Sequence, residues 1–202
     1  MGDTKNNVRV KMARSNLEDI PQVALPHGYS LRRYRDGDKK HWLKIQTEAD
    51  RFNKITPKWF EQEFGHDRAL LAERQYYLLS PQRETIGTGT AWLSDDLTGY
   101  VLGKVHWLAI VPHYQGRGLG KALLTVICNR LRELSHEAAF LATSTARTVA
   151  IRLYSRFGFL PLVRNAEEAA AWESVPLWLP LRMESLDAPF APEPESELVQ
   201  LS

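Results

Sequence analysis

The apolar positions of this chain follow two rhythms, one of helix period and one of strand period. Leu119, Leu123, Val126, Ile127, Leu131 and Leu134 recur at helical spacing, which predicts an amphipathic helix. Trp42, Ile45 and Ala49 share one face of a helix expected over about 38–50, with Asp38 at its N-cap. Another helical stretch follows Pro57 through Trp59, Phe60 and Phe64 and resumes at 67–73. A short one over 146–157 groups Ala150, Leu153, Tyr154 and Phe157 before Gly158 stops it. Strand-like segments lie between: "YSLRRY" (29–34), "QYYLLS" (75–80), "ETIGTGTAWLS" (84–94), "EAAFLATS" (137–144) and "VPLWLPLRM" (175–183). "GKVHWLAIV" (103–111) is nearly all apolar, the pattern of a central strand buried on both faces. This order predicts an α/β fold, a mixed sheet with helices on its faces.

Composition narrows the classes. At 202 residues the chain fits one domain with tails and can bury a sizeable core. A net charge of +2 is too small to argue for a nucleic-acid partner, and no apolar run reaches the length of a membrane span. The single cysteine, Cys128, falls mid-helix and rules out an internal disulfide framework. The first residues lack the apolar stretch of a secretory signal, so the cytoplasm is the expected compartment. The ends differ from the middle: residues 1–15 carry a net +3, and residues 183–202 carry −5 with three prolines. The expected division is an amino-terminal extension (1–27, partly disordered), a domain (28–182) and an acidic tail (183–202).

The chemistry concentrates in "VPHYQGRGLGKALL" (111–124), where Gly116, Gly118 and Gly120 lead straight into the amphipathic helix. Glycine there lets backbone N–H groups turn outward at the positive end of a helix dipole, which is a seat for phosphate. A Walker-type loop needs glycine five residues before Gly120 and a hydroxyl after Lys121, but Gln115 and Ala122 stand there. A dinucleotide fingerprint needs G-x-G-x-x-G in the first strand–helix unit; here the spacing is G-x-G-x-G, past the midpoint of the chain.

What remains is Q-x-x-G-x-G after a strand and before a helix. The stretch "WLAIVPHYQGRGLGKALL" resembles the acetyl-coenzyme A loop of the GCN5-related N-acetyltransferase (GNAT) superfamily. A second block, "AIRLYSRFGFLP" (150–161), is similar to that family's next helix–strand signature. The resemblance implies a central mixed, largely antiparallel sheet flanked by helices. It also implies a cofactor cleft where the strand before the loop and the strand after its helix (the family's fourth and fifth) splay apart. Acetyl-CoA would be the co-substrate, with no metal. Backbone at Leu108, Ala109, Ile110 and Val111 would meet the pantetheine arm, and Gln115, Gly116, Arg117, Gly118, Leu119, Gly120 and Lys121 would hold the pyrophosphate. Thr143 is a candidate polar neighbour of the arm, with Ser144 beside it. Arg147 stands where family members often have asparagine, so its contact would be that of a longer, permanently charged donor.

Acetyl transfer to an amine needs a base, a donor to the oxyanion and an acid for the thiolate. Tyr154 matches the family's acid, since a phenol stays protonated at neutral pH. His106 is the candidate base, and strand alternation would place it on the face of Leu108 and Ile110. Glu48 or a water chain is the alternative base, while His113, after Pro112, reads as a surface residue. With no placed nucleophile, direct transfer to a primary amine of a small molecule is expected. The alternatives are acetylation of protein or peptide α-amino groups, or a non-catalytic acyl-CoA-binding regulator. A homodimer is compatible with the family.

Overall fold

The computed structural model describes residues 7–94, 97, 101–176 and 190. In chain order the elements are β1 (Arg9–Arg14), β2 (Ser30–Arg33), α1 (Lys39–Ala49), α2 (Trp59–Phe64), α3 (Arg68–Arg74), β3 (Gln75–Leu79) and β4 (Thr85–Ser94). There follow β5 (Leu102–Ile110), a 3₁₀ turn at Pro112–Tyr114, α4 (Leu119–Glu133), β6 (Ala139–Ser144), α5 (Thr148–Ser155), β7 (Leu160–Pro161) and α6 (Ala166–Glu173). They group into two compact units, one of Asn16–Leu141 and one of the described residues up to Ser15 and from Ala142 onward.

In the unit 16–141, β2-β3-β4-β5 pair antiparallel, and β5 pairs in parallel with the start of β6 through Gly103↔Ala139 and Lys104↔Phe140. The seven strands are thus a mixed, largely antiparallel set flanked by helices, as the sequence reading expects. One face of β4 carries Gly87, Gly89 and Ala91, and α4 lies against it. A Cβ on Gly89 would stand 3.3 Å from Ile127 Cγ1 of α4, so the small residues set how closely the helix approaches. Leu119, Leu123, Ile127 and Leu131 of α4 are buried as the periodicity predicts.

The strand β5 is not regular. Thr90 pairs with His106 but Thr88 pairs with Ala109, so Gly89 faces both Trp107 and Leu108 and β5 carries a bulge there. Trp107 takes φ +48°, a conformation costly for a residue with a Cβ. Residues opposite one another share a face, so His106 and Ala109 lie on the face of Thr88 and Thr90, and Ile110 lies on the face of Gly87. The expectation that His106 shares a face with Leu108 and Ile110 is therefore overturned, because the extra residue breaks the alternation.

Two further expectations change. Asp38 precedes α1 but its side chain does not cap the helix; it accepts from Arg32 Nη2 at 2.9 Å and from the Arg35 N–H at 2.7 Å. Within the expected extension 1–27, the described residues from 7 onward include a strand. Residues 9–14 form β1, which pairs antiparallel with β7 in the second unit, and Met12 and Ala13 are fully buried. Within the first unit, Leu17 and Ile20 are buried, and Thr125 of α4 donates to Pro21 O at 2.7 Å. The sequence reading also lacks α6, whose cap is Asn165 accepting from the Glu168 N–H at 2.9 Å. The strand expected at 175–183 falls almost wholly outside the described residues, as does the acidic tail except Phe190.

Replacing Gly89 by valine forces γ-carbons into Ile127 and is expected to cost about 1–3 kcal/mol. A urea melt checks this; an unchanged midpoint contradicts the close packing of α4 on β4.

Candidate active site

The bulge brings two neighbouring side chains of β5 to the side of α1 and α2. His106 is 8% exposed and lies edge-on to Phe64, with ring centroids 5.4 Å apart. Trp107 meets Trp42 of α1 at 5.2 Å and Trp59 of α2 at 5.6 Å. One carboxylate joins them: Glu63 Oε2 accepts from Trp107 Nε1 at 2.9 Å and stands 3.0 Å from His106 Nε2. The turned-out carbonyl of Trp107 is met by the buried Gln46 of α1, whose Nε2 donates to it at 2.9 Å. A backbone acceptor left bare at this depth would cost about 1–3 kcal/mol, so Gln46 helps stabilise the strained residue.

Burial alone would push the Glu63 carboxyl up. The hydrogen bonds from His106 and Trp107, with the charges of His106 and Lys104, outweigh it and hold the group at about 2. Glu63 is therefore ionised at neutral pH. With Nε2–H donated to Glu63, a neutral His106 ring carries its lone pair on Nδ1.

Neither Glu63 nor Gln46 was picked out from the sequence, although both leave a signal there. Gln46 falls four residues after Trp42 on the apolar stripe of α1, and Glu63 falls four after Trp59 and three after Phe60. A polar residue on an apolar stripe needs a partner. Glu48, by contrast, is exposed on α1, and His113 is exposed as expected.

At the far end of β5 the glycine loop is built from the same unit. Leu108 and Ala109 are half-buried and Ile110 is buried. Part of the backbone expected to meet the pantetheine arm is engaged within the fold. The Val111 N–H donates to Ile86 O at 2.9 Å, and Ile110 O accepts from Gln115 Nε2 at 2.8 Å. Gln115 thus ties the loop back to the strand. Gly116 and Gly118 take φ of +77° and +79°, and a Cβ on either would meet nothing within 4 Å. Gly118 is the N-cap of α4 and has no side chain to cap it. The N–H groups of Lys121 and Ala122 turn back to Gly118 O, at 3.0 and 3.3 Å, whereas Leu119 is buried and Gly120 half-buried in the opening turn. Arg117 is anchored, with Nη1 3.2 Å from Tyr29 Oη, Nη2 3.3 Å from His113 O and its guanidinium over the Tyr114 ring. Lys121 is exposed.

The other predicted residues belong to the second unit. Thr143 and Ser144 are buried at the end of β6, and Ser144 Oγ has no partner among the described residues. Arg147 is the N-cap residue of α5, its N–H donating to Ser144 O at 2.9 Å. Tyr154, on α5, is 7% exposed, with its ring edge-on to Phe159 at 6.3 Å. Cys128 is fully buried in α4, consistent with an inert thiol. Among the described residues no cluster of three or more His, Cys, Asp or Glu could hold a metal ion, and no helix is long and apolar enough to cross a membrane.

Because the folded-state Glu63 carboxyl lies below its ordinary 4.5, the stability it contributes is present above that value and is lost as pH falls towards 2. Glu63→Gln is expected to flatten the acid side of a Tm–pH profile between those limits, and an unchanged profile contradicts the ionised pair.

Comparison with known proteins identifies the family. The model of the acetyltransferase (GNAT) family matches residues 40–159. A mycothiol acetyltransferase of Acidothermus cellulolyticus is 28% identical over 79% of this chain and 53% of its own length. One of Sanguibacter keddieii is 31% identical over 72% and 48%. The chain therefore spans about half the length of the curated relatives it matches. A GCN5-related N-acetyltransferase from Sphaerobacter thermophilus shares the fold with a TM-score of 0.62 at 20% identity, covering 77% of this chain and 48% of that one. With residues 40–159 matched, glycine loop and α5 included, the chain belongs to the acetyltransferase (GNAT) family.

Proposed function

We propose that the chain is an acetyl-CoA-dependent N-acetyltransferase that passes acetyl directly to a primary amine of a small molecule. The observation that carries this is the mouth of α4: two left-handed glycines, no capping side chain, and a loop tied by Gln115 to the end of β5. Backbone N–H groups at such a helix start take a diphosphate without a metal. The name shared by the curated relatives, mycothiol acetyltransferase, supports a small-molecule acceptor.

In this reading His106 takes a proton from the acceptor's ammonium, and the freed amine attacks the thioester carbonyl. Backbone N–H groups near Leu108 to Ile110 polarise that carbonyl. The C–S bond then breaks, Tyr154 protonates the leaving thiolate, and the proton lost from the acylated nitrogen restores the phenol. Thr143 and Arg147 are assigned to the cofactor through the family resemblance. The protein is read as a cytoplasmic enzyme whose partners are acetyl-CoA and an amine.

Calorimetry with acetyl-CoA on wild type and Gly118→Trp tests the seat. Binding by wild type that the variant loses, with circular dichroism unchanged, is the expected result. No binding by folded wild type contradicts the proposal. Tyr154→Phe is expected to lower kcat by about 10²–10⁴-fold with acetyl-CoA affinity retained; steady-state kinetics check it, and an unchanged kcat removes Tyr154 as the acid. If peptides are acetylated where small amines fail, the acceptor is a protein or peptide α-amino group.

A further inference from the structure

Glu63 does more than hold His106 and Trp107, judging by how its two oxygens are used. Both donors converge on Oε2. Oε1 has no partner among the described residues, although the side chain is 34% exposed and the group is ionised at neutral pH. A carboxylate oxygen in that state accepts readily from a cation. The charge of Lys104 acts on Glu63, and its ammonium lies over the Phe140 ring, 5.8 Å from the centroid.

The surroundings favour one class of visitor. Trp59, Trp92 and Trp107 are half-buried beside the buried Phe64 and His106, so Glu63 stands at the edge of an aromatic wall. Aromatic faces attract cations, most strongly where water is partly displaced. A neutral polar group gains little from this combination, and an anion is repelled by it.

We propose that Glu63 Oε1 receives the ammonium group of the acceptor, beside the indoles of Trp59 and Trp107, so that this site selects primary amines that arrive as cations. The inference rests on the acetyltransferase reading and adds to it a substrate-binding residue and the charge of the substrate. It also explains why the histidine hangs on the same carboxylate. The ammonium docks on one oxygen while the other holds the histidine ring.

The test uses acetyl-CoA with 2-phenylethylamine, glucosamine and alanine amide as cationic acceptors. O-benzylhydroxylamine, a near-isostere of the first, serves as one that is neutral at pH 7. Glu63→Gln keeps an oxygen acceptor for His106 and Trp107 but loses the charge. The expected result is a KM for the accepted cationic amine raised about tenfold or more, the equivalent of 1.4 kcal/mol. The KM values for acetyl-CoA and for O-benzylhydroxylamine should stay within about twofold, since neither depends on the ammonium contact. An equal effect on cationic and neutral acceptors, or none on either, overturns the inference while leaving the acetyltransferase reading intact. Acetyl-CoA binding without acetylation of any of the three cations overturns it too. Absence of acetyl-CoA binding by folded wild type instead overturns the underlying reading. Should Glu63→Gln not fold, wild type carries the test: added salt is expected to raise KM for the cationic amine but not for its neutral isostere, because screening weakens only the charged contact.

Discussion

The site depends on one backbone distortion, the bulge of β5 at Trp107. An extra residue opposite Gly89 turns Trp107 to a positive φ and swings His106 and Trp107 together to the side of α1 and α2. Such a conformation persists only when its surroundings over-determine it. Here Gln46 satisfies the displaced carbonyl, Glu63 holds the indole N–H, and the rings of Trp42 and Trp59 wedge the side chain. The strain is thus offset by contacts from two helices, and the helices in turn are placed by the aromatic residues that pack on that strand.

The same strand feeds the loop. Past the bulge β5 returns to regular pairing with β4, ends at Ile110, and is linked to the mouth of α4 by the Gln115 side chain. The glycine face of β4 lets α4 pack closely behind, which fixes the direction of its positive end. A single strand therefore relates the glycine loop at its end to a histidine–carboxylate pair in its middle. In the proposed function the first holds the cofactor's diphosphate and the second handles the acceptor's proton.

Most elements were legible in the sequence because each has a long apolar repeat or a clear stop. The α4 stripe, the run of β5 and the stop at Gly158 are local signals, and they fall where expected. The glycine loop was legible for the same reason: Gly116 and Gly118 need left-handed backbone whatever else surrounds them. The bulge was not. Nothing in "KVHWLAI" departs from a buried strand, and the register with β4 decides where the extra residue goes, so the face of His106 is set by tertiary pairing rather than by local pattern. Glu63 and Gln46 are tertiary partners from other elements, visible in the sequence only as polar residues on apolar stripes. Asp38 shows the converse, a good capping residue diverted by Arg32, a stronger donor supplied by β2.

A crystal structure of the protein with coenzyme A bound tests the central claim most directly. The diphosphate is expected against the backbone N–H groups of Gly116 to Gly120, with Trp107 still at positive φ and Gln46 on its carbonyl. A diphosphate seated away from that loop, or a β5 that pairs regularly past Trp107, would contradict it.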